Sequence, residues 1–187
     1  MRSIVFSVVL FAMLAVATSA GIVACPSPCA NATLHLSPHE VRARLKQVAM
    51  DGYTGRAHEH YSENMTLRWT GIHDHVCPPN VPTYSDCSSF VTWVYWTLFG
   101  AGTDFLNGER WAAGYTGTLK AHGRAVVPGA NATNLLPGDL CFYYHPMHHV
   151  AMYVGNAKVV THGFDPVGHF PWDYAPVDYC RRYIEDA

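Results

Sequence analysis

A cysteine and a histidine stand in sequence contexts from which they could act together as a nucleophile and a base. Cys87 follows Asp86 at the start of an apolar stretch with helical spacing, and His149 opens a strand-like segment over 149–155. Asp86 predicts an N-cap, which places Cys87 in the first turn, where free N–H groups and the helix dipole favour an anion. Such a position can lower the pKa of a thiol from about 8.5 towards neutrality. We therefore expect Cys87 to be a reactive thiolate, as in cysteine hydrolases.

A second histidine follows on the next predicted strand. Gly-Asn at 155–156 predicts a two-residue hairpin turn, and in that register His149 faces His162 across the two strands. Cross-strand neighbours are close enough for His162 to orient the imidazole of His149. The alternative is that the two histidines share the hairpin by chance, and a turn one residue longer would change the register.

The chain begins with a segment typical of secreted proteins. Residues 1–20 carry one positive charge, then an apolar core, then small residues suited to cleavage. We predict a signal peptide over 1–20, an irregular lead-in over 21–36 and one catalytic domain over 37–187. No later stretch is long and apolar enough to span a bilayer. The predicted location is extracellular, without a membrane partner.

The charge balance excludes some partners. Without Arg2, eleven basic side chains face fourteen acidic ones, which gives a formal charge near −3. This balance argues against nucleic acid or an anionic membrane as the main partner. We expect a monomer without a metal or cofactor. Sequons at Asn31, Asn64 and Asn131 are predicted surface glycosylation sites.

Six cysteines in a secreted chain predict disulfides. Without Cys87 five cysteines remain, so at least one more must be unpaired. Cys141 is predicted to be that cysteine because it lies in the pattern of a buried strand. The other four, at positions 25, 29, 77 and 180, allow three pairings that the sequence cannot decide.

The remaining patterns predict an α+β domain. A capping box at Ser37 starts a helix that Gly52 is expected to end, and a shorter helix is predicted over 111–122. Residues 53–86 look like a long, partly functional loop region. Strand patterns cover 125–127, 139–144, 149–154, 158–162 and 177–184. We expect the Cys87 helix to pack on an antiparallel sheet of about five strands.

Several segments in this order resemble the NlpC family of papain-like cell-wall cysteine peptidases. They are Asp86-Cys87-Ser88, Pro137-Gly138-Asp139-Leu140, the segment 149–155 and His162. The resemblance implies a papain-like fold with Cys87 as nucleophile, His149 as general base and His162 as its orienter. It also implies that Asp86 and Ser88 contact the free amino end of a stem peptide.

Two departures from the family pattern concern the predicted site. Ser89 stands where many bacterial members have glycine, and the upstream Trp-Gly-Gly segment with its tyrosine is missing. The family tyrosine lends a hydroxyl to the active site, and Tyr84 is the candidate to replace it as a substrate-binding residue.

The resemblance implies a secreted, bacteriolytic cysteine peptidase that acts on bacterial peptidoglycan. The expected bond joins D-glutamate to the third, diamino residue of the stem peptide. One alternative is an amidase of the related CHAP group, and another is a non-catalytic wall-binding module on the same fold. A metal-binding module is the third, since histidines occur in pairs at 58/60 and 73/75 and in a cluster at 145, 148 and 149. No His-Glu-x-x-His motif supports a metal site.

Overall fold

A computed structural model describes residues 22–23, 35–68, 76–99 and 115–185. The predicted signal peptide and most of the predicted lead-in lie outside the described residues, as do Asn31, Cys25 and Cys29. The helices are α1 (Pro38–Gly55), α2 (Cys87–Phe99) and α3 (Thr116–Ala121), with a short helical stretch at 65–68 and 3-10 turns at Arg56–His58 and Ala130–Ala132. Within these ranges, no helix has the length and apolar character needed to cross a membrane.

Most strands form one antiparallel sheet. Its strands are β5 (Arg124–Val126), β6 (Leu140–Tyr143), β7 (His149–Gly155), β8 (Lys158–Thr161), β9 (Gly168–Pro171) and β10 (Val177–Arg182), in the order β5-β10-β6-β7-β8-β9. Two small pairs lie apart from it: β1 (Ile22–Val23) with β2 (His35–Leu36), and β3 (His60–Tyr61) with β4 (Tyr84–Ser85). The predicted α+β class is confirmed. The five predicted strands are present, and β9 is an additional edge strand.

Helix α1 begins as predicted but ends later. The Ser37 side chain accepts the Glu40 backbone N–H, and the Glu40 side chain accepts the Ser37 backbone N–H, so the capping box is formed. Gly52 does not end the helix, which runs to Gly55. A Cβ atom at Gly52 would lie 2.6 Å from the Phe90 ring, so this glycine allows α1 to pack closely on α2.

The central strands are buried on both faces, which explains their nearly continuous apolar sequence. Phe142 of β6 and Val150 and Met152 of β7 pack with α1 and α2 on one face. Cys141 and Ala151 belong to a second cluster on the opposite face. Helix α2 therefore packs on one face of the sheet, and the start of α2 lies beside the start of β7.

The prediction for Cys141 was wrong. Cys141 of β6 and Cys180 of β10 are directly paired across the antiparallel strands and form a disulfide. Their Cα atoms are 4.1 Å apart. Cys77 is also disulfide-bonded. Among the described cysteines, Cys87 alone is free.

The hairpin between β7 and β8 has a different register from the predicted one. Its turn is formed by Asn156 and Ala157, with φ of 54° and 53°, as a type I′ turn requires. Met152 then pairs with Val160 and Tyr153 with Val159. The predicted pairing of His149 with His162 is therefore wrong by one residue.

Candidate active site

A cavity of about 530 Å³ opens at the N-terminal end of α2. Its wall is formed by the helical stretch at 65–68, the start of α2, the start of β7 and the end of β8. Side chains that can do chemistry there are Cys87, His149, Thr161, Arg68, Asp86 and Ser88. The structure thus brings the predicted nucleophile and the predicted base to one cavity.

Cys87 is the first residue of α2 and is 7% exposed. The thiol lies 4.0 Å from the Thr116 hydroxyl. Burial, and after it the Asp86 carboxylate, raises the pKa of the Cys87 thiol to about 11. The backbone N–H of Val150 opposes this rise because it stabilises a thiolate. The expected lowering of the pKa was wrong, since the sequence shows a helix start but not its depth, and the resting sulfur is a thiol.

His149 is the first residue of β7 and is 9% exposed. Its Nε2 lies 3.1 Å from Oγ1 of Thr161, and that hydroxyl donates its only hydrogen to the carbonyl of Val150 at 2.7 Å. Thr161 must therefore accept a hydrogen from Nε2. This fixes the tautomer and leaves the lone pair on Nδ1. His149 can accept a proton at Nδ1 while Thr161 holds the opposite edge of the ring.

His149, like the Cys87 thiol, is uncharged near neutral pH. Burial, and next the neighbouring His148, lowers the pKa of His149 to about 4. Gly163 leaves room for the ring, because a Cβ atom there would lie 2.7 Å from Cε1 of His149. The imidazole is therefore neutral near pH 7 and available as a base.

The sequence prediction assigned the role of Thr161 to its neighbour. His162 is fully buried, its Nδ1 lies 2.6 Å from the Ser85 hydroxyl, and its Nε2 lies 3.1 Å from Asp165. Both ring nitrogens are thus engaged away from His149, and His162 does not line the cavity. The structure gives the predicted orienting contact to Thr161 instead. Continued from the pairing of Met152 with Val160, the observed register puts Thr161 opposite Ala151, on the same face as His149 and diagonal to it.

The tyrosine of this region that lines the cavity is Tyr61 and not the predicted Tyr84. Tyr61 of β3 lines the cavity, and its hydroxyl donates to Glu63 at 2.6 Å. Tyr84 of β4 is not among the lining residues and packs near the ring of His60. The parallel pairing of Tyr61 with Ser85 brings this tyrosine beside the start of α2. No local motif identified Tyr61.

Asp86 has the predicted capping role. Its Oδ1 accepts the backbone N–H of Ser89 at 2.7 Å, and the Asp86 N–H donates to the Ser89 hydroxyl at 2.7 Å. Ser89 therefore completes a reciprocal cap that glycine could not make. Arg68 donates to Oδ2 of Asp86 and to the Ser88 hydroxyl. No local pattern in the sequence indicates Arg68 as a partner of these two residues.

Two of the predicted glycosylation sites lie on the surface of the described part of the chain. Asn64 is exposed, and its side chain accepts the N–H groups of Thr66 and Leu67 at the start of the 65–68 stretch. Asn131 is exposed with a left-handed φ of 53°. Glycosylation at both remains a prediction. Within the described part of the chain, no group of three His, Cys, Asp or Glu side chains could hold a metal ion.

The NlpC/P60 family model matches residues 67–169, more than half of the 187 residues. The chain belongs to the NlpC/P60 family. Cys87, His149 and Thr161 all lie inside the matched region. NlpC/P60 proteins are in general cysteine peptidases that act on peptidoglycan, although some members are non-catalytic. Among curated proteins, no significant sequence match was found.

Two solved structures with TM-scores of 0.50 or more support the fold, and a third is similar at a lower score. NlpC2 from Trichomonas vaginalis is 20% identical, with a TM-score of 0.52, over 76% of this chain and 47% of that protein. The P60 domain of the antigen MAP1272c from M. avium paratuberculosis is 20% identical, with a TM-score of 0.50. The match covers 76% of this chain and 95% of that domain. RipD from Mycobacterium tuberculosis is 21% identical, with a TM-score of 0.47. The match covers 74% of this chain and 96% of RipD, which is a non-catalytic protein adapted to peptidoglycan binding. The chain spans less than half the length of the Trichomonas protein.

Proposed function

We propose that this chain is a secreted, bacteriolytic cysteine endopeptidase that cuts peptidoglycan stem peptides between D-glutamate and the diamino residue. One observation carries the catalytic part of this proposal. The free thiol of Cys87 shares a cavity with His149, whose Nδ1 is left open by the bond from Nε2 to Thr161. A nucleophile, a base and a group that orients the base are the elements of covalent acyl transfer.

The resting site holds a neutral thiol and a neutral imidazole. When a substrate carbonyl enters, Nδ1 of His149 takes the thiol proton as Sγ of Cys87 attacks the carbonyl carbon. The backbone N–H of Cys87, at the helix start, is expected to help bind the oxyanion. Thr161 keeps accepting the Nε2 hydrogen, which stabilises the imidazolium that forms.

The second half of the reaction returns the proton. The His149 imidazolium protonates the leaving amine, the peptide bond breaks, and the acyl group remains on Cys87 as a thioester. His149 then takes a proton from water, which attacks the thioester carbonyl. Release of the new carboxylate gives back the thiol and the neutral imidazole.

The proposed substrate rests on the family and on the predicted secretion. A secreted thiol peptidase with broad specificity would endanger proteins of its own host. Peptides with D-configured, γ-linked residues do not occur in ordinary host proteins, so an enzyme confined to them avoids that damage. An extracellular bacterial wall is therefore the substrate that best fits the family and the predicted secretion.

Digestion of purified Gram-negative sacculi tests the proposal. We expect soluble disaccharide-dipeptide fragments by mass spectrometry, negligible casein hydrolysis, and no product from the Cys87→Ala variant. Intact stem peptides released from muramic acid would instead identify an amidase. Binding to sacculi without products would indicate a non-catalytic module, and efficient casein cleavage with intact sacculi would overturn the proposal.

A further inference from the structure

Thr116 lies against the sulfur of the candidate nucleophile. It is the first residue of α3, it is buried, and it lines the cavity. Its Oγ1 is 4.0 Å from Sγ of Cys87, and either atom can be the donor. Within the described part of the chain, the Thr116 hydroxyl has no other hydrogen-bond partner, and the sulfur has no other side-chain partner. The hydroxyl is therefore free to turn towards the sulfur.

Three hydrogen-bond donors surround the position of a Cys87 thiolate. Burial, and after it the Asp86 carboxylate, raises the pKa of the thiol, whereas the Val150 N–H, the Thr116 hydroxyl and the Ser88 N–H oppose this rise. A buried anion has lost its water shell, so it depends on donors that the protein supplies. Two of these three donors are backbone groups. Thr116 is the one side chain among them, and its contribution can be removed by substitution.

A hydroxyl can serve both protonation states of the sulfur. Beside the neutral thiol it can accept the weak S–H donor, because a hydroxyl is both a donor and an acceptor. The thiolate has no hydrogen, so Thr116 must then be the donor. Hydrogen bonds to an ionised acceptor are shorter and stronger than neutral ones, and the 4.0 Å contact is expected to shorten when the thiolate forms. The change needs only a rotation of the hydroxyl hydrogen.

We propose that Thr116 is a further catalytic residue, which donates a hydrogen bond to the Cys87 thiolate while His149 holds the proton. This inference rests on the proposed endopeptidase function. The proton passes from Sγ to Nδ1 of His149, an electron pair of the sulfur forms the bond to the carbonyl carbon, and the carbonyl π pair moves to the oxygen. When water has attacked the thioester, the C–S bond breaks and its pair returns to the sulfur. Thr116 stabilises this leaving thiolate until His149 gives the proton back.

Two threonine hydroxyls would then support the two ends of the proton transfer. Thr161 accepts the Nε2 hydrogen of His149 and stabilises the imidazolium, and Thr116 donates to the sulfur. A lysine or arginine beside Sγ would favour the thiolate even at rest. A neutral hydroxyl acts mainly once the negative charge has formed. Thr116 therefore assists the reaction without making the resting thiol an anion.

Four variants of the full chain separate the hydroxyl from the shape of the side chain. Thr116→Val keeps the shape and loses the hydroxyl, and Thr116→Ser keeps the hydroxyl. Thr116→Ala loses the hydroxyl and widens the access to the sulfur. Thr118→Val is the matched control, because Thr118 lies on the same helix, does not line the cavity, and donates its hydroxyl to the Tyr115 carbonyl at 2.8 Å.

The first measurement is the rate at which iodoacetamide alkylates Cys87 at pH 8, followed by mass spectrometry of the peptide that contains it. The reagent reacts with the thiolate. Loss of a donor raises the pKa of Cys87 further, and one pKa unit corresponds to roughly tenfold less thiolate. We expect Thr116→Val and Thr116→Ala to react about tenfold more slowly than the native protein. Thr116→Ser and Thr118→Val should stay within about threefold, and slower reaction of the alanine variant cannot result from blocked access.

The second measurement is the release of fragments from purified sacculi, with folding checked by circular dichroism. It should fall about tenfold in Thr116→Val and Thr116→Ala and stay within about threefold in Thr116→Ser and Thr118→Val. Unchanged alkylation in Thr116→Val, an equal loss in Thr118→Val, or slow alkylation with native fragment release would refute the role of Thr116. If the native protein releases no fragments, the endopeptidase proposal fails and the catalytic role with it. The alkylation rates would still show whether the Thr116 hydroxyl stabilises the thiolate.

Discussion

Replacing Glu59 by glutamine should make the stability of the protein less dependent on pH. Glu59 is 1% exposed and accepts a hydrogen bond from the Ser85 hydroxyl, which also contacts Nδ1 of His162. Burial, together with the more distant Asp165 carboxylate, raises the pKa of Glu59 to about 8, although the Ser85 bond opposes the rise. The fold therefore favours the protonated carboxyl at neutral pH.

The size of the effect follows from the difference between the folded and unfolded pKa values. In the unfolded chain the pKa of Glu59 is 4.5, so the stabilising contribution is complete below that pH. It declines as the pH rises and is lost once the pH passes the folded value of about 8. At about 1.4 kcal/mol for each pH unit, the loss amounts to roughly 5 kcal/mol.

Urea denaturation followed by tryptophan fluorescence measures this effect. Near pH 5, native protein and Glu59→Gln should have similar free energies of unfolding, because glutamine resembles the protonated acid. Near pH 8.5 the variant should be more stable by several kcal/mol. The same change at exposed Glu185 is the control and should show no such divergence. An equal difference between native and variant at both pH values would refute the assignment of a protonated Glu59.

Three further predictions concern catalysis. Cys87→Ala should abolish product release from sacculi while circular dichroism shows an intact fold; residual lysis near the native level would contradict a thiol mechanism. Thr161→Val removes the acceptor for the Nε2 hydrogen of His149 and should lower kcat roughly 10- to 100-fold with KM little changed, whereas His162→Ala should mainly lower the melting temperature. Because burial lowers the pKa of His149 to about 4, the imidazole becomes protonated only below that pH and then cannot accept the thiol proton. The acid limb of kcat/KM should therefore lie near pH 4, and a limb near 6.5 would contradict this account.

The elements around the site could be predicted because their signals are local. Capping at Ser37 and Asp86 identifies the starts of α1 and α2, and buried strands show as apolar runs. Strand β9 gave no such signal, since its residues are half-exposed and it ends in proline at the edge of the sheet. Gly52 has the pattern of a helix terminator, because the sequence does not show that Phe90 packs against it.

The register of one hairpin decided which residue orients the base. A left-handed alanine is an uncommon turn residue, so Gly155-Asn156 looked like a better turn than Asn156-Ala157. A shift of one residue exchanges the two faces of a strand. The shift gives His162 a buried network with Ser85 and places Thr161 against His149. Contacts of Arg68 and Tyr61 could not be predicted, because they join segments that are distant in sequence and share no periodic pattern.

The buried, neutral state of Cys87 and His149 has a consequence for the proposed secreted enzyme. A free thiol in an oxidising medium is at risk, because the thiolate is the form that reacts with oxidants and disulfides. The Cys87 thiol is shielded, and its raised pKa keeps it protonated at rest. In the proposed mechanism, His149 removes the proton when a carbonyl lies against the sulfur. Burial would thus protect the proposed nucleophile between turnovers, while the contact with Thr161 keeps the neutral imidazole in the tautomer that this mechanism needs.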